Sequence, residues 1–347
     1  MIDCLKIENF KSISQMELHS RKFNILSGTN SSGKSSVLQA LLILAQNMDM
    51  EYGINGPLVS IGEFREIKNL NIGKDKIRIF AESGKDSIGV ELEEDSKISF
   101  YGNKTSMLAK KLCIRNNKLH YLSCNRVGSQ DIYYKNRTME KGVGLNGEYA
   151  IDFLEDNKDE PLEEKLCKEK DNYTLNAQVN YWMKYIIGAN ISVEGIIGTD
   201  AVKARYSMTD GIISRPQNVG SGISYLISIV VMCLGSEKND ILIIENPEIH
   251  LHPLSQSRLC EFLYFVADSG RQIFVEPHSD HIFNAVRVGI ANQKMEKGYI
   301  AVNFFRLGSD NCTRNYEIEI GKYGKIENPI PDMFDQFQID LERMLGV

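Results

Sequence analysis

The chain has 347 residues, 42% of them hydrophobic and 25% charged, with a formal net charge of −6 at pH 7. This is the make-up of a globular protein long enough for two lobes and a substantial core, and it excludes a disordered or low-complexity chain. The acidic balance gives no global attraction to nucleic acid, and the seven scattered cysteines, odd in number and without a C-x-x-C pair, argue against a disulfide framework or a zinc ribbon.

Met1 to Lys6 lacks a basic stretch followed by an apolar one, and the longest apolar run, Ile223 to Leu234, is too short to span a bilayer. A cytoplasmic protein with no membrane partner is therefore expected. Leu5 and Ile7 alternate with polar neighbours as in a strand. Phe23-Asn24-Ile25-Leu26 reads as a second strand, and Val37, Leu38, Leu41, Leu42 and Ala45 predict a helix from Lys34 to Gln46.

Between that strand and helix stands Gly28-Thr29-Asn30-Ser31-Ser32-Gly33-Lys34-Ser35, a complete phosphate-binding loop. The two glycines let the backbone curl so that successive N–H groups and a helix N-terminus point at phosphates. Lys34 supplies a cation and Ser35 a hydroxyl for Mg²⁺. The expected ligand is a nucleoside triphosphate, ATP with Mg²⁺, held by Gly28, Asn30, Ser31, Ser32, Gly33, Lys34, Ser35 and Ser36.

From Lys76 to Phe100, short alternating segments separated by Gly, Asp and Ser predict an antiparallel meander. Residues 101–215 read as an inserted arm, with a helix expected from Leu162 to Ile187 and no sustained heptad pattern. The chain thus divides into an N-terminal part of a nucleotide-binding head (1–100), the arm (101–215) and a C-terminal part of the head (216–347). Within the arm, Lys104, Lys110, Lys111, Arg115, Lys118, Arg126, Lys135, Arg137 and Lys141 face only Asp131 and Glu140, with four tyrosines interspersed. Such a stretch can neutralise phosphates and stack on bases, so DNA is a candidate partner through 104–141; a solvated face, or a docking surface for the acidic stretch Asp152 to Asp171, fits equally well.

Three more motifs follow in order. Asn218-Val219-Gly220-Ser221-Gly222-Ile223-Ser224 precedes an apolar helix and offers a second anion cradle, through Gly220, Ser221, Gly222 and Ser224, that has no ligand in its own subunit; a Gly-rich turn before a core helix is the plainer alternative. Ile241-Leu242-Ile243-Ile244 reads as a buried strand delivering Glu245 to its C-terminal end, where it can hold Mg²⁺ with Ser35, directly or through water, and Glu248 can orient or deprotonate the attacking water; a solvated strand-end acid is the plainer alternative. Gln272 to Val275 is a third such strand, and His278 just beyond it can reach the γ-phosphate as donor or sensor. His250, His252 and His281 lack zinc-ligand spacing, and His250 and His252 are expected to shape the loop.

This order of motifs resembles the ABC-class ATPase heads of RecF, the structural-maintenance-of-chromosomes proteins and the OLD family. Ile7-Glu8-Asn9-Phe10-Lys11-Ser12, the phosphate loop, Val219 to Ser224, Ile244 to Pro253, His278-Ser279-Asp280-His281 and the tail Pro331 to Asp335 are more narrowly similar to small stand-alone OLD-like AAA ATPases of bacteria. The resemblance implies an α/β fold: an ABC-type P-loop NTPase head with a mixed central sheet and helices, an antiparallel β lobe and an inserted α/β arm. It also implies a homodimer or higher homo-oligomer in which two heads sandwich ATP, each nucleotide held by one subunit's Lys34 and the other's Ser221 to Ser224 region.

Where many such heads carry a catalytic glutamate after the metal-binding acid, this chain has Asn246, so Glu248 or Glu245 takes part in water activation or turnover is slow. OLD proteins carry a nuclease domain after the head, and the residues after His281 contain no D-x-D and little chain for one. The resemblance then implies an ATPase, sensor or scaffold subunit of a bacterial anti-phage defence system acting with a separately encoded effector, a nuclease being the leading candidate. A RecF-like DNA-repair or maintenance ATPase, and a nucleotide-dependent scaffold with negligible hydrolysis, are the alternatives.

Overall fold

The buried runs at Phe23, Ile241 and Gln272 become neighbouring strands of one sheet in the computed structural model, which describes residues 1–94, 97–138, 142–208, 211–331, 333–334 and 336–346. Glu140, Lys141, Asp332 and Asp335, which belong to stretches noted above, lie outside the described residues. The elements of the first half are β1 (Cys4–Phe10), β2 (Ile13–His19), β3 (Phe23–Gly28), α1 (Lys34–Gln46), α2 (Phe64–Ile67), β4 (Lys76–Ser83), β5 (Asp86–Glu93), β6 (Ile98–Gly102), α3 (Met107–Leu112), β7 (Leu119–Leu122), β8 (Tyr133–Tyr134) and α4 (Ala150–Asn157). There follow α5 (Leu175–Ile187), β9 (Ala189–Gly195), β10 (Ala201–Met208), β11 (Ile213–Ser214), α6 (Ser221–Gly235), β12 (Ile241–Glu245), α7 (Pro253–Asp268), β13 (Gln272–Glu276), α8 (Asp280–Ala291), β14 (Ile300–Leu307), β15 (Thr313–Glu317) and α9 (Gln336–Leu345).

The central sheet has the order β15-β14-β3-β13-β12-β7. All its neighbours run parallel except β15, which pairs antiparallel with β14. Parallel strands covered on both faces need continuous apolar runs, and β12 and β13 are buried at every residue. Their side chains divide by parity: Ile241, Ile243 and Phe274 join the core under α1 and the N-terminal β lobe, whereas Leu242, Ile244, Ile273 and Val275 join the core under α5, α6 and α7. One sheet therefore separates two cores.

The meander forms as expected and is extended by the first two strands into an antiparallel sheet of order β2-β1-β4-β5-β6. Strand β2 lacks a clean sequence signal because its buried residues, Ile13, Met16 and Leu18, break strict alternation. The segment 101–215 is not wholly an excursion from the head. Its β7 returns to the central sheet and pairs with β12, Leu119 opposite Ile241. The remainder builds a third sheet around β10, with β9 along one edge and β8 and β11 sharing the other.

The helix expected from Leu162 is shorter than its apolar pattern suggested. Thr174 caps α5, its side chain accepting from the Ala177 N–H, and the charged run upstream forms only a 3₁₀ turn at Glu164–Leu166. No helix among the described residues is long and apolar enough to cross a membrane.

Phe274 fills the space between the central sheet and the N-terminal core and is 1% exposed. Phe274→Ala is expected to cost about 3–5 kcal/mol, read as a lower urea midpoint at unchanged slope.

Candidate functional site

The loop between β3 and α1 curls tightly because its glycines lie against residues from the far end of the chain, Gly28 against the Phe305 backbone and Gly33 against the Thr313 side chain. Gly28 has φ +148°, and a Cβ there would lie 2.2 Å from the Phe305 carbonyl oxygen on β14. The Thr29 N–H donates to that same carbonyl at 3.2 Å. Gly33 has φ +100° and would place a Cβ 2.5 Å from Thr313 Oγ1 at the start of β15. Thr313 Oγ1 donates to the Ser32 carbonyl at 2.9 Å and lies 2.7 Å from Ser12 Oγ, while the Thr313 N–H donates to the Ser12 carbonyl at 2.7 Å. Thr313, which carries no motif signature, pins the phosphate loop to the turn after β1.

Inside the curl, α1 starts at Lys34 with no side-chain cap, which leaves first-turn N–H groups for an anion. Lys34 is 3% exposed, and its ammonium donates to the carbonyls of Gly28 (3.1 Å) and Thr29 (2.8 Å). Burial lowers its pKa, with Glu276 pulling the other way. Ser32 closes the loop by donating to the Thr29 carbonyl at 2.7 Å, Asn30 and Ser31 are exposed at the tip, and Ser36 is buried. Ser35 is open to the cavity above the loop, and its hydroxyl donates to Glu276 Oε1 at 2.7 Å.

Glu276 was not singled out by any motif, yet it ends β13 beside the loop. It is 2% exposed, and its second oxygen is buried without a partner. Burial is the main reason its carboxyl is pushed up to about 7, reinforced by Glu245 and Glu248 and opposed by Ser35 and Lys34. Glu245 ends β12 directly opposite Glu276 in register. Both its oxygens are engaged: Tyr121 donates its hydroxyl to Oε1 at 3.0 Å and the Cys124 N–H donates to Oε2 at 3.0 Å.

The chain leaves β12 through Asn246, whose φ of +43° is left-handed, a conformation that asparagine tolerates better than glutamate. This gives a physical reason for an amide at that position. The turn returns Glu248, whose Oε1 accepts the His278 N–H while Oε2 is buried without a partner. Burial raises the Glu248 pKa, partly offset by that N–H. The His278 ring sits 3.8 Å from Glu276 Oε1, and burial and Lys34 lower its pKa. His252 caps α7, its Nδ1 accepting from the Leu254 N–H, and His250 carries a left-handed turn with φ +59°.

Arg126 belongs here and not on a basic surface. It is 4% exposed and donates to the carbonyls of Ser123 (3.0 Å), Glu245 (2.6 Å) and Asn246. It thereby clamps the end of β12. Three other basic residues of the arm are already paired, Arg115 with Asp49, Lys118 with Glu237 and Asp240, and Arg137 with Asp200. The continuous cationic stretch expected from the sequence is broken up.

The cavity over the loop measures about 630 Å³ and is lined by Lys11, Ser12, Ser31 to Ser36, Lys68, Leu70, Asn71, Glu276, His278 and Asn311 among others. Cavities of about 550 and 580 Å³ elsewhere match its size but contain none of the loop residues, so donors and not volume mark this one. Hard oxygen donors at Ser35 and Glu276, the latter with its second oxygen buried and unpartnered, suit Mg²⁺ beside a triphosphate, and Glu245 and Glu248 are not among the residues that line this cavity. Gly220, Ser221, Gly222 and Ser224 do not line this cavity. Gly220 and Ser221 are exposed at the N-terminus of α6, which has no side-chain cap. Gly222 packs where a Cβ would lie 2.5 Å from the His250 carbonyl oxygen, and Ser224 is buried with its hydroxyl 2.8 Å from that of Ser129. The exposed part of this edge is therefore Gly220 and Ser221, while the Ile223 N–H already donates to the Gly220 carbonyl at 3.1 Å.

The profile of the AAA ATPase domain family matches residues 1–192 and 164–283. No curated protein gives a significant match. Among solved structures, the chain is similar to an SmcHead bound to the C-winged helix domain of ScpA, at 13% identity and TM-score 0.58 over 92% of this chain and 98% of that one. It is also similar to an Smc head domain with an extended coiled coil, bound to the C-terminal domain of ScpA derived from Pyrococcus furiosus, at 10% identity and TM-score 0.59 over 99% of each chain. An SMC head domain from Thermotoga maritima aligns at 11% identity and TM-score 0.50 over 92% of this chain and 99% of that one. At these identities the likeness carries the fold, an ABC-type P-loop NTPase head.

The raised Glu276 carboxyl makes the native state hold a proton that the unfolded chain, with a value near 4.5, gives up. Its stabilising contribution is complete below the unfolded value and is lost as pH rises through about 7. Without metal or nucleotide, Glu276→Gln is expected to stabilise the protein by about 2–3 kcal/mol at pH 8 and to be nearly neutral at pH 5. Thermal midpoints at the two pH values check this, and an equal difference at both contradicts it.

Proposed function

We propose that this chain, which belongs to the AAA ATPase domain family, binds ATP with Mg²⁺ in the loop at the N-terminus of α1, hydrolyses it slowly, and closes around it as a pair of heads. The observation that carries this reading is the uncapped start of α1, with the buried Lys34 ammonium turned onto the loop carbonyls of Gly28 and Thr29 and the Ser35 hydroxyl open to the cavity.

Lys34 transfers its donors to the phosphates, and the N–H groups of the loop hold them in place. Ser35 is the expected direct holder of Mg²⁺, with Glu245, whose oxygens are both engaged, reaching the ion through water. When bound, the ion draws charge from the phosphate oxygens. Glu248 accepts the proton of the attacking water through its unpartnered oxygen, a role that Asn246 cannot fill because an amide takes no proton. His278 faces the same cavity as a donor to the outermost phosphate.

Dimerisation is supported by the exposed Gly220–Ser221 edge, whose uncapped N–H groups lie outside their own subunit's phosphate cavity. A second head would bring a γ-phosphate to them. The work done is then a conformational cycle. On the resemblance of the motifs, we assign the cycle to an ATPase or sensor subunit of bacterial anti-phage defence, acting on a separately encoded effector, with a nuclease as the leading candidate. Direct DNA binding loses ground because Arg126 is internal and Arg115, Lys118 and Arg137 are already paired.

Sedimentation with and without ATP tests the pairing of heads. Lys34→Ala is expected to lose ATP binding and ATP-dependent assembly together, whereas Ser221→Arg keeps ATP binding and loses only assembly. Glu248→Gln is expected to lower turnover by about 10²-fold or more while stabilising the ATP-bound pair. Wild-type assembly by Ser221→Arg contradicts the sandwich.

A further inference from the structure

Two acids end adjacent strands above the phosphate loop, and their positions are not equivalent. Strand β13 lies between β3 and β12, so Glu276 is one strand from the loop and Glu245 is two. At about 4.8 Å between neighbouring strands, the difference is a whole strand spacing. Ser35 chooses the nearer acid, donating its hydroxyl to Glu276 Oε1 at 2.7 Å. Glu245 instead has one oxygen on the Tyr121 hydroxyl and the other on the Cys124 N–H. The second oxygen of Glu276 is buried, unpartnered and 98% shielded with the rest of its residue.

We propose that Glu276 is the positioning carboxylate of the metal site: it takes the Ser35 hydroxyl proton as a hydrogen bond, so that the oxygen's lone pairs are presented to a divalent cation. This deepens the nucleotide reading above and rests on it. A hydroxyl that donates to a carboxylate is oriented and more basic, which is how an outer carboxylate strengthens a metal ligand it touches. Glu245 acts further out, its carboxylate held by Tyr121 and Cys124, with Arg126 gripping the backbone carbonyl of the same residue.

The test is binding of the non-hydrolysable analogue adenylyl imidodiphosphate, measured by calorimetry in MgCl₂ and again in EDTA. In the wild type, Mg²⁺ tightens binding. Glu276→Gln keeps an acceptor for Ser35 and loses the charge; it is expected to lose roughly tenfold of the Mg²⁺-supported affinity and none of the affinity in EDTA. Glu245→Gln is expected to lose less. Because Glu276 acts through Ser35, the double variant Ser35→Ala/Glu276→Gln should bind no more weakly in Mg²⁺ than Ser35→Ala alone. A full wild-type gain from Mg²⁺ in Glu276→Gln, an equal loss in EDTA, or additive losses in the double variant overturns the role of Glu276 while leaving the nucleotide site intact. Failure of the wild type to bind in either condition overturns both.

Discussion

The phosphate loop holds its shape through close contacts between the first 35 residues and the strands that begin at Ile300. Gly28 is pressed against Phe305 and Gly33 against Thr313, and neither position has room for a β-carbon. Thr313 then binds Ser12 and Ser32, so the turn after β1, the loop and β15 share a single anchor. The site therefore exists only when the two ends of the chain have come together in the central sheet. Its formation depends on contacts of very long sequence separation, which must repay the entropy of closing a long loop.

A second consequence of the sheet order is electrostatic. Three carboxylates converge where β12 and β13 end, and burial makes the charge of two of them expensive: Glu276 is raised to about 7, and Glu248 is raised too. Lys34 is buried beside Glu276 and gives its hydrogen bonds to loop carbonyls. Such an arrangement is a poor stabiliser of the protein by itself, and on the proposed function it serves to receive a cation and an anion that arrive together. Strain of this kind at a site is offset by the two apolar cores on either side of the sheet.

Much of this was legible in the residues because phosphate chemistry imposes local patterns. A glycine-rich loop between a strand and a helix, and an acid after four apolar residues, carry their own context, and α1 runs from Lys34 to Gln46 as its periodicity required. Features set by distant partners were not legible. Glu276 has no local signal that separates it from any strand-end acid, and Tyr121, Cys124 and Thr313 matter only through neighbours more than 100 residues away. Arg126 reads as one cation among nine, yet the carbonyls of Glu245 and Asn246 draw it inside. Strand β7 was hidden for the same reason: its four residues become a strand only by pairing with β12.

The most direct measurement is a crystal structure grown at saturating Mg²⁺ and adenylyl imidodiphosphate. The expected result is a triphosphate at the N-terminus of α1, with the Lys34 ammonium moved from the Gly28 and Thr29 carbonyls to phosphate oxygens and Gly220 and Ser221 of a second copy facing the outermost phosphate. An empty loop, or a nucleotide seated there with that edge turned away from every neighbouring copy, would contradict it.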